Sequence, residues 1–105
     1  MTTKAQHLVI ATKLLGYSPL GAGMIKHPRD LWPMAVPDFD SIEIVERLIF
    51  PGLERRGCSL RIDNYLSYTY RCSLYDGKAT FYRCDEQKTM SDAIVGATLK
   101  YLEGV

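Results

Sequence analysis

The sequence is poor in the residues that build metal sites and disulfide scaffolds. Its 105 residues include three cysteines and two histidines. Cys58, Cys72 and Cys84 lie 14 and 12 positions apart, without the short paired spacing that zinc ligands require. We therefore expect no structural metal, no cofactor and three reduced thiols in a cytoplasmic protein.

The chain also lacks an excess of charge and a long apolar run. Thirteen Lys and Arg against twelve Asp and Glu leave a net charge of +1, which argues against a protein that holds nucleic acid through its overall charge. The first 16 residues contain a short apolar run that polar residues interrupt, so we expect neither a signal peptide nor a membrane span. A length of 105 residues indicates a single domain over 1–105.

Catalytic motifs are missing as well. No serine has a Gly-x-Ser-x-Gly context, and the Gly-Ala-Gly at 21–23 lacks the Lys-Ser/Thr of a phosphate-binding loop. The carboxylate pair Asp38/Asp40 is explained by helix capping, and the pair Asp85/Glu86 by a solvated turn. We therefore predict that the protein is not an enzyme.

The first helix is predicted over about 4–15. Thr3 and Gln6 have the spacing of a capping box, and Gly16 stands where a left-handed C-cap is expected. His7 falls beside the apolar stripe, and we expect it to be a partly exposed surface residue.

Two further helices follow from apolar periodicity. The second is predicted to start near Ser41 with Asp40 as its N-cap, and Pro51-Gly52 should stop or kink it after Phe50. A last helical turn through 54–56 can follow before Gly57. The third is predicted over about 90–103, with Thr89 as its N-cap.

From position 58 the apolar period changes to two, which predicts strands. The dipeptide Asp76-Gly77 is typical of a two-residue hairpin turn. Such a turn pairs Cys72 with Phe81 and places both on the core face. It also sends Cys72 and Cys84 to opposite faces, which would prevent a disulfide between them. The resulting pairs are Tyr75 with Lys78, Leu74 with Ala79, Cys72 with Phe81 and Tyr70 with Arg83.

The turn between the first two of these strands has two readings. A two-residue loop at 63–64 would set Leu60 against Ser67 and put the apolar faces on opposite sides. A three-residue loop at 63–65 sets Ile62 against Leu66 and Leu60 against Tyr68. We favour the three-residue loop because a slip of one residue would turn a whole strand over.

Residues 17–38 break every regular pattern. Four prolines and two glycines exclude a long helix or a central strand, yet the segment is rich in apolar side chains. We expect an ordered loop packed on the domain, since compact domains rarely keep such a long irregular segment without a function.

These elements predict an α+β fold, in the order helix, helix, three-stranded antiparallel meander and helix, arranged as an α/β sandwich. Two clusters are candidates for binding a partner. One is the loop cluster Lys26, His27, Arg29 and Trp32; the other is Arg71 opposite Tyr82 on the outward face of the sheet. Tyr, Trp and Arg dominate binding hot spots, although burial of Trp32 as a packing anchor and a covered sheet face are equally compatible with the sequence.

The order of elements resembles the phage α/β/α ("ABA") sandwich domain of small phage and prophage proteins. The likeness rests on HLVIATKLLGY, an irregular segment with WP, DFDSIEIVERL, the YRCSLYDGKATFYR hairpin and TMSDAIVGATLKYL. It covers nearly the whole chain, with Phe50-Pro51-Gly52 as a departure. The resemblance implies a phage-encoded accessory protein acting in the bacterial host cytoplasm, and it implies no catalytic residues.

Three functions fit these observations. The first is an anti-CRISPR-like inhibitor that binds a host defence protein or complex stoichiometrically. The second is a sponge that sequesters a nucleotide immune signal, and the third is a phage accessory or structural protein without a ligand. The sequence leaves open whether the chain forms a homo-oligomer.

Overall fold

The computed structural model describes residues 2–65 and 69–104 and has an α+β fold, as predicted. Three helices and two three-stranded antiparallel sheets make up the described chain. The first helix comprises Lys4–Val9 and a π-helical segment, Ile10–Leu14; the second comprises Ile42–Ile44, a π-helical segment, Val45–Ile49, and Phe50–Arg55; the third is Met90–Glu103. None of these helices has the length and apolar composition needed to cross a membrane.

The first helix begins as its sequence predicts. The Thr3 hydroxyl accepts a hydrogen bond from the Gln6 backbone N–H at 3.2 Å, and the Gln6 side chain accepts one from the Thr3 N–H at 2.8 Å. This reciprocal pair satisfies two backbone donors that the first turn would otherwise leave open. Beyond the helix, Gly16 has φ +80°, a conformation that glycine adopts without steric cost.

His7 is buried, which corrects the expectation of a surface residue. Its exposed fraction is 5%, and its ring makes an edge contact with Phe39 at a centroid distance of 5.5 Å. The contact comes from a segment more than thirty residues away in the chain, so helical periodicity alone could not place it.

The second helix departs from prediction at its start. Ser41, not Asp40, is the N-cap, and no side chain caps it. At its other end the helix does not stop at Pro51 but continues to Arg55, which agrees with the alternative of a further helical turn. Proline lacks the N–H that would bond to the preceding turn, and the widened π-helical turn Val45–Ile49 directly precedes this segment. Such π-helical turns are one of the recognised causes of kinks in helices.

The third helix has the predicted bounds. The Thr89 hydroxyl accepts a hydrogen bond from the Asp92 N–H at 3.1 Å, which confirms Thr89 as the N-cap. The buried residues of this helix join those of the first two helices and the sheet in one core. That core contains Ile10, Leu14, Phe39, Val45, Ile49, Leu53, Cys72, Leu74, Cys84, Ala93, Ile94, Val95, Ala97, Tyr101 and Leu102.

The larger sheet is an antiparallel meander of β4 (Ser59–Tyr65), β5 (Thr69–Tyr75) and β6 (Phe81–Gln87). Ile62 pairs with Cys72 and Leu60 with Leu74, so the predicted partners of Ile62 and Leu60 are wrong. The shift is an even number of residues, so the apolar faces still meet as expected. The predicted strand start at 66–68 lies outside the described residues.

The Asp76-Gly77 turn is longer than predicted. The Asp76 carboxylate accepts hydrogen bonds from the backbone N–H groups of Lys78, Ala79 and Thr80 at 2.8, 3.2 and 3.2 Å. This side-chain cap competes with the two-residue turn, and it closes a five-residue loop, 76–80. The same three N–H groups stabilise the ionised carboxylate and lower its pKa.

The longer loop turns β6 over. Tyr75 pairs with Phe81 and Leu74 with Tyr82, an odd shift from the predicted register that exchanges the two faces. The expectation that Phe81 is a core residue is therefore wrong: its exposed fraction is 68%. Ala79, also expected inside, lies exposed in the loop.

The changed register also corrects the view of the cysteines. Cys72 and Cys84 are direct cross-strand partners on the core face, not residues on opposite faces. Both are free thiols. Burial in apolar surroundings raises the pKa of the Cys72 thiol to about 12, which removes the reactive thiolate at neutral pH.

We expect the three thiols to react unequally with an aromatic disulfide reagent. Cys58 is half-buried, whereas Cys72 and Cys84 are buried. At pH 7.5 the native protein should release about one equivalent of reporter quickly, because a thiol must be ionised and accessible to react. The denatured protein should release three equivalents. Release of only one equivalent after denaturation, or an intact mass lower by two hydrogens, would indicate a disulfide.

Part of the predicted loop at 17–38 forms a second, small sheet. Its strands are β1 (Ser18–Gly21), β2 (Met24–Lys26) and β3 (Met34–Ala35), with β2 in the middle. Pro19 lies on an edge strand, where a missing N–H donor is tolerated. Ile25 is fully buried, but most of the other apolar side chains are not, so the expected packing of this segment holds only around β2.

Candidate binding site

Two neighbouring large apolar residues lie exposed in the segment between β2 and β3. Leu31 is 85% exposed and Trp32 is 78% exposed. The chain just before them is held by local hydrogen bonds, since the Asp30 N–H donates to the His27 carbonyl at 2.9 Å. The Arg29 N–H donates to His27 Nδ1 at 3.1 Å. The structure thus decides between the two readings of Trp32 in favour of exposure.

The other members of the loop cluster do not all reach solvent equally. Lys26 ends β2 and is half-buried, whereas Arg29 is exposed. His27 packs its ring edge on Tyr17 at a centroid distance of 5.3 Å. His27 therefore anchors the loop to Tyr17, just after the first helix, while Arg29 and Trp32 remain open to a partner.

The second helix adds two arginines to this loop that the sequence did not single out as binding residues. Arg47 and Arg55 line a groove of ≈ 270 Å³ together with His27, Arg29 and Asp30. Arginines on the solvent side of a helix are common, so their sequence positions alone do not separate a groove from a solvated face. Only the packing of the loop against the helix brings them together.

The groove is basic. It contains three arginines and one carboxylate, Asp30. Within residues 2–65 and 69–104, no ion pair is found for Arg29, Arg47 or Arg55. Their guanidinium groups are thus available to carboxylates or phosphates, which arginine binds in a bidentate manner.

The predicted pair of Arg71 and Tyr82 is not formed. Tyr82 lies on the inner side of β6, where its ring contacts Tyr101 at a centroid distance of 5.6 Å. Arg71 lies on the outer face, with its Nε 3.1 Å from the Asp85 carboxylate. The register of β6 separates the two residues, so they do not form one patch.

One cluster of metal-ligand types occurs in the described part of the chain. Single ligand atoms of His7, Asp38 and Asp40 lie within 4.8 Å of one another. Hydrogen bonds already account for this arrangement: the Thr2 hydroxyl donates to Asp40 at 2.6 Å and contacts His7 Nε2, and Asp38 accepts from the Asp40 N–H at 3.0 Å. The hydrogen bond from Thr2 lowers the pKa of Asp40. We interpret the cluster as a tie between the start of the chain and the second helix.

Comparison with known proteins gives no relative from which residue roles could be transferred. No protein-family model matches the chain, and neither a curated protein nor a solved structure is significantly similar to it.

Proposed function

We propose that this protein is a phage-encoded inhibitor that acts in the host bacterial cytoplasm by binding a protein of a host defence complex, in the manner of an anti-CRISPR protein. It acts by stoichiometric binding and not by catalysis. The observation that carries the proposal is the exposure of Leu31 and Trp32, which directly follow Asp30 in the chain, together with a groove lined by Asp30 and three arginines.

An exposed tryptophan next to an exposed leucine needs an explanation. Tryptophan is highly buried on average, and clustered exposed apolar side chains mark interaction sites. Burying the Trp32 side chain against a partner would remove a large apolar area from water, which is why tryptophan is prominent among hot-spot residues. Leu31 enlarges the same apolar contact.

The groove specifies the chemistry of the partner. Three arginines against one aspartate give it a formal charge of +2 at neutral pH. An acidic protein surface complements this charge, and the attraction would speed association and fix the orientation of the complex. Apolar anchors next to a charged groove therefore favour a protein surface with aspartates and glutamates around an apolar depression.

The phage origin rests on the resemblance of the chain to the phage ABA sandwich domain. The observed order of helices and the larger meander is compatible with that resemblance. A small phage protein without catalytic motifs can act by binding, and we propose that it binds a host defence complex.

The test is a plating assay in bacteria that carry one defined CRISPR or other defence system each, challenged with a sensitive phage. The wild-type protein should restore phage plating in at least one strain and co-purify with the corresponding complex at a fixed ratio. Trp32→Ala, and separately Arg47→Glu/Arg55→Glu, should weaken binding to that purified complex by at least about 30-fold, the effect of losing about 2 kcal/mol at a hot spot.

Lys88→Glu provides a matched control, because Lys88 is an exposed cation just before the third helix and outside the groove. It should bind like wild type, and all variants should melt like wild type, since exposed charges contribute little to stability. If the wild-type protein restored phage plating in none of the strains, the inhibitory function would be refuted. Wild-type affinity of both site variants for a confirmed target would refute the site.

A further inference from the structure

The outer face of the larger sheet is a second candidate surface, on which residues of similar chemistry lie in rows. Residues that alternate with the buried Cys72 and Leu74 point away from the core, and the observed registers align them in rows across the strands. Three rows result. They are Ser59–Tyr75–Phe81, then Arg61–Ser73–Arg83, then Asp63–Arg71–Asp85, with Asp85 placed beside Arg71 by their 3.1 Å contact.

The first row offers an aromatic platform. The Tyr75 and Phe81 rings lie with their centroids 4.7 Å apart and their planes at 30°. Phe81, the first residue of the edge strand β6, is 68% exposed, although phenylalanine is among the residues most often buried. A planar ring of a ligand could stack on this pair, as bases stack on aromatic side chains of nucleotide-binding sheets.

The second row places two arginines on either side of a small residue. Ser73 pairs with Arg61 on one side and with Arg83 on the other. A depression of ≈ 560 Å³ lies on this face and is lined in part by Arg61, Ser73, Tyr75 and Phe81, whereas Arg83 lies outside its lining. This volume lies within the range of small-molecule sites.

The third row holds the arginine heads in place. Arg83 Nε lies 3.1 Å from Asp85, and Arg61 Nε lies 3.3 Å from Asp63. Each guanidinium has five N–H donors, so these contacts orient the groups and leave four donors on each for a ligand. Three arginines and two aspartates give the nine-residue face a formal charge of +1, and a bidentate oxyanion is the group that such oriented arginines bind.

We propose that this face binds a nucleotide, with a phosphate at Arg61 and the base stacked on Phe81 and Tyr75. The aromatic and basic rows are two residues apart on each strand, about 6.8 Å, so one ligand that carries an anion and a planar ring can reach both. An acidic peptide would use the arginines but leave the exposed Phe81 unexplained. This site is separate from the groove of the proposed function and does not depend on it.

The nucleotide could be free or part of a single strand, and the experiment distinguishes these sources. Isothermal titration is performed with AMP, GMP, inorganic phosphate and a ten-residue single-stranded oligoadenylate. A mononucleotide should bind at least about fivefold more tightly than phosphate, because stacking adds to the phosphate contact. An oligonucleotide that binds more tightly still, with a steeper loss of affinity in salt, would identify a nucleic-acid strand as the source.

Variants assign the binding to this face. Phe81→Ala should weaken nucleotide binding at least about fivefold, whereas Phe81→Tyr should preserve it because the ring remains. Arg61→Gln should weaken both nucleotide and phosphate, and Arg61 is 81% exposed, so the fold should be unaffected. Trp32→Ala is the matched control and should bind nucleotide like wild type. Absence of binding by every nucleotide probe, or unchanged affinity in both Phe81→Ala and Arg61→Gln, would overturn the proposal.

Discussion

Leu74→Ala is expected to lower the free energy of unfolding by about 2–5 kcal/mol, the usual cost of emptying a buried leucine site. Leu74 is fully buried near the end of β5, the central strand of the larger sheet. Its removal loses apolar burial and leaves a cavity between the sheet and the helices, which rigid neighbours on both sides would fill only in part.

Phe81→Ala is the matched comparison, because Phe81 neighbours Tyr82, the cross-strand partner of Leu74, but faces solvent. Its cost should stay below about 1.5 kcal/mol, the value of an aromatic pair such as Tyr75–Phe81. Urea unfolding of both variants measures the difference. If Phe81→Ala proved as costly as Leu74→Ala, the sheet would have the shorter Asp76-Gly77 turn and the opposite face of β6 inside.

Gly96→Val is expected to destabilise the protein by about 3 kcal/mol or more, at or above the upper end of the usual cost of overpacking. A β-carbon at position 96 would lie 2.4 Å from Cys84 Sγ and 3.1 Å from Cys84 Cβ. The third helix and β6 therefore leave no room for a side chain at position 96 while the Cys84 side chain keeps its position. The gain in helix propensity from replacing glycine, below about 1 kcal/mol, is too small to compensate.

A double-mutant cycle with Cys84→Ala identifies the contact responsible. Removing the sulfur relieves the 2.4 Å approach, so Gly96→Val should cost less in the Cys84→Ala background, by about 0.5–3 kcal/mol. Thermal or urea unfolding of the four proteins gives this coupling energy. Strict additivity of the two substitutions would show that the helix does not pack on β6 at this position.

The helix termini were predictable because their signals are local. Thr3 and Thr89 each cap a helix through a hydrogen bond that spans three residues, and such contacts are encoded in short segments. Asp40 shows the limit of this reasoning. Aspartate is a favoured N-cap residue, but the Asp40 carboxylate accepts hydrogen bonds from Thr2, a residue 38 positions away.

The candidate sites were less predictable. The loop cluster at 26–32 was recognisable by its length and its composition, and two of its members, Arg29 and Trp32, are exposed. Arg47 and Arg55 belong to the second helix, and they lie near this cluster only because the loop and the helix line one groove. The pairing of Arg71 with Tyr82 was wrong because Asp76 caps a longer turn, and this one hydrogen-bonded loop decides which residues of β6 face solvent.

By itself the sequence determined the α+β class, the three helices, the larger meander and the alternating faces of β4 and β5. These follow from apolar periods and local caps, which any arrangement of the chain must satisfy. Only the tertiary structure decided the registers of the meander, the small sheet within 17–38, the burial of His7 and which residues line the two proposed binding surfaces. An even slip of a strand preserves its pattern, and a contact between distant segments leaves no mark in either one, so the packing of the whole chain selects among alternatives that are locally equivalent.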